Sequence, residues 1–146
     1  MKKIVFEQVG NIGMVFLLAA ALIQTVTFST KSTILFGSCW SLFLIWTVLF
    51  GVLKWLYSKF WKNEGYKFSD GEFSSKDERE KVVSSKAVTF AYKSTITILL
   101  VECLIFAGLD INSSYLQIVG IFFLSGSIMF GFLAYMLSWI FYDLKI

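Results

Sequence analysis

Four apolar runs divide the chain, at residues 10–28, 33–57, 87–109 and 115–142, and most of the charge collects between the second and third, at 58–86. Each run reaches the roughly 20 residues with which an α-helix crosses about 30 Å of hydrocarbon. Residues 34–53 contain no charged side chain, so no polar helix face exists there for water to meet, which argues against a soluble bundle. The pattern predicts an all-α fold: an integral membrane four-helix bundle forming a single membrane domain over residues 1–146. Composition agrees, because a chain that is 57% hydrophobic and 16% charged is too apolar to stay in water as one domain.

The distribution of lysine and arginine predicts the orientation. Lys2 and Lys3 precede the first run, eight basic residues fall from Lys54 to Lys86, and Lys145 follows the fourth run. The opposite connections hold Lys31 in one and Asp110 in the other. Basic residues stay on the cytoplasmic side, so both termini and the 58–86 loop are expected in the cytoplasm. Trp55, Tyr57, Trp61, Trp139 and Tyr142 would form an inner aromatic belt, with Tyr115 at the outer interface. Trp40 and Trp46 lie too deep for a belt and are expected to pack or to face lipid. The apolar run near the N-terminus is long and no cleavage site follows it, so it reads as a retained helix, not a signal peptide.

Short outer connections make helices 1 and 2 antiparallel neighbours, and likewise helices 3 and 4. In the inner loop, Ser75 followed by Glu78 has capping-box spacing. No breaker follows, so helix 3 is expected to start in the cytoplasm near Ser75 and run unbroken into the membrane. Lys76 with Glu80, and Asp77 with Lys81, have the spacing of pairs across one helical turn.

Candidate chemistry is sparse. Histidine is absent, which removes the commonest general base and zinc ligand, and no phosphate-binding glycine loop or paired CxxC occurs. No catalytic residue, metal site, cofactor or nucleic-acid partner is therefore expected. Cys39 and Cys103 read as buried apolar residues at similar depth. Glu102 stands out, because a carboxylate some 10 to 12 Å below the outer end of helix 3 is costly and marks a candidate site. Gln24, Ser38, Ser41 and Ser125 fall near the same depth and are expected to join it in a polar layer. Lys93 is close enough to the inner interface to snorkel.

Helix 4 carries the small residues Gly120, Ser127, Gly131, Ala134 and Ser138, and helix 1 carries Gly10, Gly13 and Ala20. Such stripes allow close helix approach in lipid, either within the chain or as a seam between copies. The charged string Asp77, Glu78, Arg79 is a candidate docking motif in which Arg79 would clamp a carboxylate or a carbonyl.

Lys76-Asp77-Glu78-Arg79-Glu80, with Lys86-Ala87 and Ala91-Tyr92 after it, resembles a pattern in uncharacterised small four-pass bacterial membrane-protein families. In those families an Asp-Glu-Arg motif opens a cytoplasmic helix that continues into a span. The resemblance implies a bacterial cell membrane and transfers no activity. Two functional expectations stand. The first is a non-enzymatic accessory, immunity-type or partner subunit of a membrane complex, with lipid, a second copy or another membrane protein as its partner. The alternative is a small oligomeric ion- or proton-coupled transporter or channel built on Glu102.

Overall fold

The computed structural model describes residues 2–29, 33–60, 66–75, 77–108 and 115–145. Lys31, Trp61, Lys76 and Asp110, on which parts of the expected topology rest, lie outside them. Among the described residues there are four long helices, α1 (Lys2–Phe28), α2 (Ser38–Phe60), α3 (Glu78–Gly108) and α4 (Leu116–Lys145), with a 3-10 turn at Gly71–Phe73 before α3. All four are long and apolar enough to cross a membrane. At 27, 31 and 30 residues, α1, α3 and α4 measure about 40 to 46 Å, well beyond about 30 Å of hydrocarbon.

The helices form two antiparallel hairpins, α1–α2 and α3–α4, joined through α1 and α4. Packing therefore runs in the order α2–α1–α4–α3. No contact of similar extent joins α2 to α3, the pair that would close the expected bundle into a ring. The start of α1, the end of α4, the start of α3 and the 66–75 segment meet at one end of the molecule, the terminal end; the end of α1 and the start of α2 lie at the far end, as do the end of α3 and the start of α4.

Close approach within the first hairpin depends on glycine. A Cβ on Gly10 would fall 1.9 Å from the Phe50 ring, and one on Gly13 would fall 2.8 Å from Trp46. Trp46 donates to the Gly10 carbonyl at 3.2 Å, and Trp40 donates to Thr25 Oγ1 at 2.7 Å. Both tryptophans thus pack on α1. In the second hairpin the small residues of α4 face α3: Ser127, Ala134 and Ser138 are buried, Ser138 donates to the Ala87 carbonyl, and a Cβ on Gly131 would fall 2.8 Å from Thr95 Oγ1. Gly120 differs, since nothing lies within 4 Å of its added Cβ.

The joint between the hairpins is a core of Ile4, Val83, Ala87, Tyr135 and Trp139 at the terminal end. Trp139 is 2% exposed, so it is a core residue and not part of the expected interfacial belt. Tyr57 also turns inward, stacked on Phe6 with ring centroids 4.9 Å apart. Trp55 and Tyr115 do stay exposed.

Two helix starts differ from expectation. Residues 33–37 are not helical, and α2 begins at Ser38 because Gln24 of α1 accepts from the Cys39 N–H at 2.8 Å and so satisfies one of its free amides. Gly37 is needed there, because a Cβ would fall 2.1 Å from the Gln24 side chain. α3 begins at Glu78 with Asp77 as its cap, accepting from the Glu80 N–H at 2.8 Å; Ser75 does not cap it. Asp77 is engaged in that cap. The Glu80 carboxylate pairs with Lys3 at 2.7 Å.

Candidate functional site

The expected polar layer around Glu102 does not assemble. Gln24 and Ser38 belong to the α1–α2 junction, Ser41 donates to the Ser38 carbonyl, and Ser125 donates to the Ile121 carbonyl of its own helix. Each of these polar groups is engaged by a nearer backbone or side-chain partner and not by Glu102. Among the described residues Glu102 bonds with Ser127, the serine hydroxyl donating to Glu102 Oε2 across the α3–α4 seam. Among the described residues no cation pairs with Glu102.

The larger polar assembly lies at the terminal end and centres on residues that sequence reasoning passed over. Glu7 is 1% exposed, holds Lys54 of α2 at 2.9 Å through one carboxylate oxygen, and accepts the Tyr66 hydroxyl at the other. One residue on, Gln8 donates to Glu72 Oε2, and Asn11 reaches the same oxygen at 3.3 Å. Gly71, with φ at 51°, turns the 66–75 segment so that its backbone passes over the Glu7–Lys54 pair. The segment is closed on itself by Ser74, whose hydroxyl accepts from the Lys67 N–H and donates to the Lys67 carbonyl, both at 3.0 Å.

This environment sets the titration of the two loop groups. Burial pushes the Tyr66 phenol up, and the hydrogen bond to Glu7 and the charge of Glu7 push it further. Burial also raises Glu72 above the usual carboxylate range; the Gln8 hydrogen bond opposes this, the Glu7 charge adds to it, and Lys54 opposes it again.

The candidate docking motif is largely engaged within the chain. Asp77 caps α3, and Arg79 clamps the end of α4, donating to the Asp143 carbonyl at 2.6 Å with the Asp143 carboxylate at 3.5 Å. Glu78 is left exposed. Cys39 lies on α2 against α1 and Cys103 on α3 beside α4; both are free thiols on helices that make no extended contact, so they are not neighbours. Among the described residues no group of histidine, cysteine or carboxylates has the arrangement of a metal site.

Four helices long and apolar enough to cross a membrane describe a membrane protein, and residues 2–146 match the family described as Predicted membrane protein (DUF2178). The chain belongs to that family. Its description gives a location and no activity. No curated protein and no solved structure matches the chain.

Proposed function

We propose that this DUF2178 protein is a non-enzymatic protein of the bacterial plasma membrane that acts by binding, as an accessory or immunity-type partner of another membrane component. The terminal end would face the cytosol, in keeping with the lysine and arginine bias and with three helices that outreach the bilayer at their polar ends.

The carrying observation is the spacing of polar groups along the α3–α4 seam. Ser138 meets the Ala87 carbonyl, Thr95 faces Gly131, and Glu102 meets Ser127. Successive steps are about 10 to 12 Å along the helix axis, several times a hydrogen bond of about 3 Å. A proton or ion therefore has no stepwise route through one chain by these groups, whereas a bound partner needs none.

Deleting the gene should raise sensitivity to membrane-active peptides or toxins, with wild-type levels restored by the intact gene. Unchanged sensitivity across a broad panel would overturn the reading. One observation favours the oligomeric transporter instead: Glu102 lines an open cleft. That reading requires a proton or cation flux in reconstituted vesicles that Glu102→Gln abolishes.

A further inference from the structure

Along the terminal halves of α3 and α4 runs an open groove of about 600 Å³, lined by exposed apolar side chains that include Phe90 of α3 and Leu133, Leu137 and Phe141 of α4. From Phe130 to Tyr142 it extends about 18 Å along α4, at about 1.5 Å per residue. The rings of Phe141 and Tyr142 meet edge to face at its terminal end, with centroids 5.6 Å apart, and each carries a lysine. Lys145 Nζ lies 5.7 Å from the Phe141 centroid, and Lys86 Nζ lies 5.9 Å from that of Tyr142. Both lysines are exposed, and among the described residues neither pairs with a carboxylate. Asp143, next to both rings in sequence, is held by Arg79. Lys145 suits the carbonyl end of α4, but Lys86 lies well inside α3 and has no helix end to answer.

We propose that this groove is a site for an anionic phospholipid, with one acyl chain along Phe90, Leu137 and Phe141 and the headgroup phosphate shared by the ammoniums of Lys86 and Lys145. The site is independent of the partner argued above, since its occupant comes from the bilayer itself.

Length and charge together select this occupant. A groove of about 18 Å is close to the hydrocarbon depth of one leaflet, about 15 Å, so it takes a chain lying along the helices with its polar end at the lysines. Exposed lysines are cations at neutral pH, and the rest of the lining is uncharged, so an anion is called for at that end alone. A zwitterionic lipid would bring its own cation to the same place. A soluble phosphate has no tail to cover the apolar length. A second copy of the chain, related by a two-fold axis along the membrane normal, would set the lysines of one groove against those of the other.

The test uses the full-length protein in vesicles of equal parts phosphatidylglycerol and phosphatidylcholine. The photoreactive residue p-benzoylphenylalanine replaces Leu137 in the groove or, as a control, Leu44, which is exposed on α2. After illumination, mass spectrometry identifies what each position has captured. Adducts at Leu137 should favour phosphatidylglycerol by about fivefold or more relative to those at Leu44, the scale of one lysine beside an anionic headgroup. Lys86→Gln combined with Lys145→Gln should bring the Leu137 ratio down to that of Leu44. Thermal melting shows whether this double variant folds; if it does not, salt decides, because about 1 M shortens the screening length to about 3 Å and should erase the selectivity of the lysine-bearing protein. Three outcomes overturn the proposal: no selectivity at Leu137, capture of a second protein chain there in place of lipid, or selectivity that survives removal of both lysines or, where that variant does not fold, high salt.

Discussion

The terminal and far ends of this molecule are built from the same helices and held by different means. At the terminal end, α1 is tied to α3 by Lys3–Glu80, to α2 by Glu7–Lys54 and to the 66–75 segment by Gln8–Glu72 and Glu7–Tyr66, around a core that includes Trp139. At the far end, Gln24 and Thr25 join α1 to α2, and Ser127 joins α4 to α3, but these bonds stay within a hairpin. A second cleft, of about 510 Å³ and lined by Phe16, Ile23, Phe122 and Met129, opens there between α1 and α4. Lipid tails are as apolar as leucine, so burial alone does not draw helices together. At the terminal end the Lys3–Glu80 pair and the shared core close the joint between the hairpins; at the far end the bonds stay inside a hairpin, and α1 and α4 part.

The largest test of this contrast is the Glu7–Lys54 pair. Lys54→Met leaves the buried Glu7 carboxylate with only the Tyr66 hydroxyl, and losing one member of a buried pair costs about 3 kcal/mol. A marked fall in the thermal midpoint in detergent is expected, with much of it recovered in the Lys54→Met, Glu7→Gln double variant. A silent single variant would mean that the terminal end is not locked by this pair.

The next test makes one substitution at both ends. Gly10→Ala drives a methyl into the Phe50 ring, which is 4% exposed and packed on Phe6, so the ring cannot simply swing away. Overpacking of this kind costs about 2 kcal/mol. Gly120→Ala meets nothing and removes glycine from a helix interior, which should raise stability by about 0.5 kcal/mol. Equal effects at the two positions would erase the distinction between a packed and an open end.

The spans were legible because an uncharged 20-residue run has one stable solution in lipid. The terminal-end lock was harder to read. Antiparallel register in a short-looped hairpin sets Glu7 opposite Lys54, just as it sets Gly10 opposite Phe50 and Gly13 opposite Trp46, so that pair had a signal in the sequence. Attention to the apolar run from Gly10 onward hid it. Tyr66 and Glu72 had none, since nothing local tells that the 66–75 segment folds back on α1. Depth alone placed Gln24, Ser38, Ser41 and Ser125 with Glu102, yet depth fixes height and not azimuth. Each of those residues settled on a nearer partner.

The smallest expected effect concerns pH and the loop that closes the terminal end. Glu72 has its folded pKa raised above 4.5, chiefly by burial, so the folded state holds this proton more tightly than the unfolded chain does. Stability then falls as pH rises from about 4.5 through the folded value, because in that window the native state is the one with more protons bound. Beside it, the Gln8 amide that donates to Glu72 leaves its own Oε1 buried without a donor among the described residues. Glu72→Gln keeps the shape and removes the titration, so its stability across this window should be flatter than that of the wild type. Thermal melts at stepped pH check this. A wild-type profile that rises with pH across the window, or an unchanged slope in Glu72→Gln, would place the titration elsewhere and leave the lock of the terminal end independent of acid.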